Sequence, residues 1–452
     1  MTLASVPEYG TTTPKYRGER AVVLGSGMAG LLAARVLHDY YDAVTVVERD
    51  SEPDPIPRRG VPQGPHPHVL LEAGRATIED LVPGFTAELR AAGGQRVDGR
   101  TDLHMYAEGG LLAPPASDRL AFFGSRPLYE QTLRRRVAAM DGVTIEYETR
   151  FVTYRMTNAG TVSGVRVRQG DDTIDVDASL VVDATGRTSR TPTWLDSVGL
   201  VAPELDTARI DLTYSSTTIP RPTDDRRTYF IQATPPNTNA GTIVPIEDDR
   251  WLVTMIGYHG DQPPADETGF TRFAEQLPLD APGTILDAQS EFAGPIIQYP
   301  FPANRRYRYD QLATVPNGLV VVGDAMASYN PIYGQGMSVA ALEAVVLAHT
   351  LTAGANDVGL RFFSTAGKIV DIAWLMAVGA DFRFPQTTGQ RPRGTAIFNR
   401  YLGQLVRGAH RDGRLTDDFY AVINMEQPPA SLFGPRVLWR VLRPRPNERA
   451  QS

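Results

Sequence analysis

The chain has 452 residues, 42% hydrophobic and 21% charged, which suffices for several domains and a large core. Its net charge of −7 gives no support to nucleic-acid binding, and the lack of cysteine removes disulfides, thiol nucleophiles, thiolate metal sites and cysteinyl cofactor links. Residues 1–20 lack the apolar core of a signal peptide, and no run of about 18 uncharged apolar residues occurs, so a cytoplasmic protein without a transmembrane span is expected.

In chain order, Ala21 to Leu24 reads as a buried strand that runs into Gly25-Ser26-Gly27-Met28-Ala29-Gly30. A helical stretch, Leu31 to Tyr40, and a second apolar strand, Val44 to Val47, follow, ending in Glu48-Arg49. Strand, glycine turn, helix, strand and acid form the dinucleotide fingerprint in its required context. Gly25 permits the tight turn, Gly27 lets a pyrophosphate approach the helix N-terminus, and Gly30 permits close helix–strand packing. Glu48 is placed to accept a hydrogen bond from an adenosine ribose.

Pro53 to His68 is a proline-rich loop, too long for an idle connection. Its Arg58 and Arg59 suit a pyrophosphate. Its His66 and His68 have no third metal ligand in sight and read as surface or pocket residues, so no metal is expected. Val69 to Leu81 reads as a helix stopped by Pro83-Gly84, and Ser125-Arg126-Pro127 opens another, Leu128 to Met140. The runs TIEYET, FVTYRM, GVRVRQ and TIDVDA, between residues 144 and 178, read as an inserted β-meander, and Leu180 to Arg187 as a strand ending in Ala-Thr-Gly.

Residues 205 to 304 alternate as an antiparallel sheet, notably Thr228 to Gln232, Gly241 to Pro245 and Trp251 to Ile256, with Glu247-Asp248-Asp249 as a turn. Tyr229, Ile231, Ile243 and Trp251 offer apolar lining for a substrate, or simply core. Leu319 to Val322 is a further parallel-type strand, ended by Gly323-Asp324. A loop with Pro331 leads to Gly334-Gln335-Gly336 and a helix from Met337. Two glycines at a helix mouth expose N–H groups beside the positive end of the dipole, which suits a flat group that becomes negative in use. From Leu351 the chain is helical. At its end Arg436, Arg440 and Arg443 oppose Val437, Leu438, Val441 and Leu442, the pattern of a last helix packed by its apolar side.

The run from Gly318 to Ala344, GLVVVGDAMASYNPIYGQGMSVAALEA, resembles the second cofactor motif of the FAD-dependent monooxygenases of the para-hydroxybenzoate hydroxylase type. Together with the first glycine motif the resemblance covers roughly residues 18 to 350. GVPQGPHPHVLLEAG, DATGR and GDAMASYNPIYGQGMS look most like the bacterial flavin epoxidases of polyether and polyketide biosynthesis. The resemblance implies an α/β fold. A Rossmann-like FAD-binding domain (18–75, 119–190, 305–350) carries an inserted β-meander, a second domain (76–118, 191–304) holds the antiparallel sheet, and residues 351–452 form a helical region. It further implies noncovalent FAD, with Asp324 on the ribityl chain and Gly334, Gln335, Gly336 and Met337 at the pyrimidine edge. Ser26, Met28, Ala29, Arg49, Arg126, Val152 and Pro331 complete the expected cofactor contacts, although Arg126 reads equally well as an arginine pairing a carboxylate.

One departure stands out. Thr185-Gly186 occupies a position where the hydroxylases carry Asp-Gly, associated with both FAD and NADPH. NAD(P)H or a separate flavin reductase are therefore both candidate electron sources. The implied activity is oxygenation, by epoxidation or hydroxylation, of a large apolar polyketide-like substrate through a flavin C4a-hydroperoxide. No general base for phenol hydroxylation can be nominated. Halogenation is disfavoured because Lys15 and Lys368 lie outside the motifs and the four tryptophans are scattered. An FAD-containing cyclase of a polyketide pathway, with the flavin structural, is the competing reading.

Overall fold

The computed structural model describes residues 1–52, 62–289 and 292–442. Strand β1 (Gly18–Leu24) turns through the glycine loop into α1 (Met28–His38), and the chain returns as β2 (Tyr41–Val47). Helix α2 (Glu72–Leu81) follows, then β3 (Leu103–Ala107), α3 (Arg126–Ala138), β4 (Val143–Glu146), β5 (Thr149–Met156) and β6 (Leu180–Asp183). Beyond these come β7 (Leu205–Pro220), β8 (Thr228–Ile231), β9 (Asn239–Ile246), β10 (Arg250–Gly257), β11 (Ile297–Tyr307) and β12 (Leu319–Val321). The helices α4 (Gln335–Ala353), α5 (Val358–Asp381), α6 (Thr395–Ala409), α7 (Gly413–Ile423) and α8 (Pro435–Leu442) close the chain.

A parallel sheet in the order β12-β6-β1-β2-β4 forms the first layer. Its central strands are apolar runs because both faces are covered. α1, α2 and α4 pack on one face and the meander on the other, where Tyr154, Val165 and Val167 meet Val22, Leu24 and Val181. The meander has three strands, β5, Val162–Gln169 and Asp172–Asp177. The fourth run assigned to it from sequence, TIEYET, supplies β4, which pairs in parallel with β2 at the sheet edge. Local alternation alone does not distinguish an edge strand from a meander strand.

The second layer is a mixed sheet running β11-β7-β10-β9-β8-β3, in which β3 joins parallel to β8. One face packs on the helices Glu267–Glu275 and Ala281–Asp287. The 16-residue β7 and 11-residue β11 are its longest strands, and β11 ends against Ala327–Ser328, just past Asp324.

Two helices, α4 and α5, are long and apolar enough to cross a membrane by length and composition alone. Their apolar windows are 78% and 61% buried inside the fold, as in core helices. In α8, Val437 and Val441 pack inward, Arg440 pairs with Asp412 at 2.7 Å, and Leu442 remains exposed. Arg443 lies outside the described residues.

Candidate functional site

The carboxyl ends of β1, β2, β6 and β12 lie side by side, and each carries one of the sequence motifs. Gly25 sits at φ +96°, donates its N–H to Val47 O at 2.8 Å, and could carry a Cβ only at 2.7 Å from Ala184 O. A Cβ on Gly30 would overlap Gly25 O. Gly27 caps α1 without any side-chain partner, so first-turn N–H groups face outward. Ser26 donates from both N and Oγ to Glu48 Oε2, at 2.8 and 2.7 Å, and Arg134 donates to Ser26 O at 3.0 Å. Glu48, 4% exposed, thus pins the loop, and its Oε1 accepts from Asp50 N at 3.0 Å. Arg49 stands at the solvent edge, 4.0 Å from Asp50.

The second motif abuts the first. A Cβ on Gly323 would lie 2.8 Å from the Ala29 Cβ, which sets Asp324 at the mouth of α1. Burial pushes the Asp324 carboxyl above the usual range, and the charges of Arg126 and Arg187 oppose that. Among the described residues Asp324 makes no hydrogen bond or ion pair. Arg126 does bind a carboxylate, Glu130 one turn on at 2.8 Å, while its charge also reaches Asp324 and His68. The carboxylate-pairing reading of Arg126 is thus the one the structure displays.

Pro331 starts a single turn, Pro331–Tyr333, capped by Asn330 Oδ1 accepting from Ile332 N at 3.2 Å. Gly334 follows at φ +64°, with space for a Cβ only 3.1 Å from Val69. No side chain caps α4, so its first N–H groups, on Gln335, Gly336 and Met337, lack an internal partner, and Gln335 Oε1 is buried without one. Asn330 is held from several directions. Its Nδ2 donates to Asp381 Oδ1 at 2.8 Å and to Tyr258 OH at 3.2 Å, and its Oδ1 accepts from Tyr214 OH at 3.0 Å. Asp381 also accepts from Asn304 Nδ2 at 2.8 Å and Tyr333 OH at 3.1 Å, and burial raises its pKa to about 6.

Above this lies a sheet face that sequence reasoning missed. Register places Ser216, Thr254 and Thr242 in one cross-strand row on β7, β10 and β9. His66 Nδ1 meets Ser216 Oγ at 2.7 Å, and Ser216 Oγ meets Thr254 Oγ1 at 2.5 Å. His66 Nε2 and Thr242 Oγ1 are buried without partners. Tyr214 and Tyr299 flank the imidazole at 6.0 and 5.6 Å. Burial lowers the His66 pKa to about 4 and that of His68 to about 3, with Arg126 adding to the latter, so both rings are neutral. No group of three or more candidate metal ligands occurs among the described residues. Tyr229, Ile231, Ile243 and Trp251, offered from sequence as possible lining, point to the opposite face and pack on Phe270, Phe273 and Leu286. Strand alternation identified a shared face but not which layer it meets.

Thr185 turns inward, donating from N and Oγ1 to Asp183 Oδ1 at 2.9 and 2.6 Å, and Ser189 Oγ donates to Asp183 Oδ2 at 2.6 Å. The carboxylate of this strand end is thus saturated and sits two residues before the position the hydroxylases use. Val152 is half-exposed on β5 beside a separate cavity of about 410 Å³ with Phe151, Arg190 and Trp194, and is not gathered around Asp324. Its strand reaches the site through Thr149 N, which donates to Glu48 O at 2.9 Å. Arg58 and Arg59 lie outside the described residues.

Glycine cradles at two uncapped helix starts, the carboxylate of Glu48 beside the first and the half-buried, unpaired carboxylate of Asp324 between arginine charges together suit a flavin dinucleotide. Comparison with known proteins agrees: the family described as FAD binding domain matches residues 19–359, and the chain belongs to it. Protein Rv3254 of Mycobacterium tuberculosis (strain ATCC 25618 / H37Rv) is 34% identical over 413 residues, covering 85% of this chain and 86% of the relative. Kynurenine 3-monooxygenase of Salinispora arenicola (strain CNS-205) is 27% identical over 75% of this chain and 73% of its own. PqsL of Pseudomonas aeruginosa, described as a probable FAD-dependent monooxygenase, shares the fold with a TM-score of 0.60 at 18% identity, over 89% of this chain and 99% of PqsL.

Proposed function

We propose that the chain is a flavin-dependent monooxygenase that inserts one atom of dioxygen into a large, mainly apolar substrate of polyketide type, as an epoxide or a hydroxyl. The observation that carries this is the uncapped start of α4 standing beside unpaired Asp324, beneath a covered sheet face. Bound FAD supplies the redox chemistry, activating dioxygen when reduced. One oxygen atom enters the product, and the other leaves as water with two electrons from an external donor.

The chain's own residues bind, orient and exclude water. The start of α1 with Glu48 would hold the dinucleotide, Asp324 would accept from ribityl hydroxyls, and the N–H groups of Gln335 to Met337 would face the pyrimidine edge. His66 Nε2 and Thr242 Oγ1 offer hydrogen bonds to one polar group of the substrate. A histidine with a pKa of about 4 is a weak base, which suits orientation rather than proton abstraction. The polyketide class rests on the epoxidase-like run from Gly60 to Gly74. With Thr185 committed to Asp183, reduction by NADPH alone should be slow and a partner reductase should accelerate turnover.

The test uses isotope-labelled dioxygen, reduced enzyme and a candidate polyene. Label in the product supports the reading. Unlabelled product, formed equally well when the flavin stays oxidised, overturns it in favour of cyclisation.

A further inference from the structure

A second concave site lies away from the glycine motifs, where the hairpin after β3 meets the end of α5 and one side of α6. It is a cavity of about 590 Å³ whose walls include Arg383, Arg391, Arg400, Arg407 and a single acid, Glu108. Glu108 stands at the hairpin tip with φ +55° and is 8% exposed on its side chain. Its Oε1 accepts from Arg383 and its Oε2 from Arg407, the latter at 2.5 Å, so both carboxylate oxygens are engaged. Among the described residues no carboxylate pairs with Arg391 or Arg400. The Arg391 guanidinium lies 6.0 Å from the centre of the Phe382 ring. Thr234, on the facing wall, has a buried Oγ1 without a hydrogen-bond partner.

Four guanidinium groups around one carboxylate leave an excess of three positive charges in one concavity, on a chain whose net charge is −7. Such a cluster repels itself unless an anion enters, and a guanidinium presents a planar fork that matches carboxylate or phosphate oxygens. Convergent polar groups beside an aromatic wall, at this volume, are the features of a small-molecule site. We propose that this cavity binds a small organic anion. Its carboxylate or phosphate would be held by Arg391 and Arg400, its neutral part would rest on Phe382, and Thr234 Oγ1 would donate one further hydrogen bond. The site shares no residue with the FAD cradle.

The experiment titrates FAD-saturated protein by calorimetry at low salt, with sodium benzoate and inorganic pyrophosphate as separate probes. FAD saturation keeps pyrophosphate out of the dinucleotide site. Saturable binding of at least one probe is expected, weakening as salt is raised. Benzoate alone would mark a carboxylate ligand, pyrophosphate alone a phosphate ester, and both the shared chemistry. The double variant Arg391→Ala/Arg400→Ala, whose side chains are exposed, should retain FAD content and bind the probe about tenfold or more weakly, as loss of charged hydrogen bonds implies. Arg400→Glu should weaken it further. Absence of binding up to ~10 mM of either probe, or undiminished affinity in the double variant, overturns the proposal.

Discussion

Asp324 has a carboxylate with no partner of its own, under the field of two arginines, in a chain where most buried polar groups are paired. Its Ala variant should bind FAD roughly ten- to a hundredfold more weakly, the loss of a hydrogen bond to a charged group being about 1.5–3 kcal/mol. Flavin fluorescence titration measures this, and an unchanged dissociation constant would remove Asp324 from the cradle. Glu48 differs, because its Oε2 already holds Ser26 twice. Glu48→Ala should therefore lower the melting temperature of the flavin-free protein as well as FAD affinity, whereas Glu48→Gln should recover part of the melting temperature through its remaining carbonyl oxygen. Equal melting temperatures for wild type and Glu48→Ala would contradict the anchoring role. Glu48 and Asp324 were both legible in the sequence, since each follows an apolar strand run, Glu48 closing the unit opened by the first glycine motif and Asp324 standing directly after Gly323. His66 was legible only as a surface or pocket residue of the proline-rich loop, with no partner named. Its contact with Ser216 spans 150 positions and depends on a strand register that no local pattern encodes.

At the scale of one element, α4 carries both the candidate site and a buried acid. Glu343 Oε2 accepts from Gly323 N at 2.7 Å while Oε1 has no partner, and burial raises its pKa to about 8. In the sequence this residue interrupts the apolar run of the helix with a charge. In the fold the carboxyl is largely neutral at pH 7, so the helix is more apolar than its composition suggests. The folded protein therefore binds one more proton than the unfolded chain between about pH 4.5 and 8. The stability contributed by neutral Glu343 is full below about pH 4.5 and is lost as pH rises through about 8. Glu343→Gln keeps a carbonyl for Gly323 N and has no proton to lose. Its melting temperature relative to wild type should rise steadily from pH 5 to pH 8 and level off above. Thermal melts of both proteins across that range decide the matter; a difference independent of pH would show that Glu343 is not protonated by the fold. Asp381, also raised, is common to both proteins and largely cancels in the comparison. The position of α4 was predicted within two residues from Gly334 to Met337. The protonation state of Glu343 was not, because burial depends on α2 and α5 packing around it.

The whole molecule is joined at a polar seam. Asn304 from β11, and Asn330 and Tyr333 from the loop before α4, meet at the carboxylate of Asp381, the last residue of α5. Each reads as an ordinary polar residue in the sequence, and they lie up to 77 positions apart, so nothing local announced the joint. The layers themselves were legible, from apolar runs for the parallel sheet and from alternation for the mixed one. The seam fixes where the turn at Pro331 delivers Gly334, and hence where the free N–H groups of α4 point. Asp381→Ala removes the shared acceptor of Asn304 Nδ2, Asn330 Nδ2 and the part-buried Tyr333 OH, at about 1–3 kcal/mol for each donor left unsatisfied, and because Ala208 O and Tyr258 OH still accept from the two asparagines the total is less than additive. A fall in unfolding free energy of about 2–5 kcal/mol is expected. If the seam positions the start of α4, FAD affinity should fall as well, beyond what lower stability explains, when measured well below the denaturation range. Chemical denaturation gives the first quantity and flavin titration at low denaturant the second. A destabilised variant that binds FAD as tightly as wild type would show that the seam holds the layers together without setting the helix start.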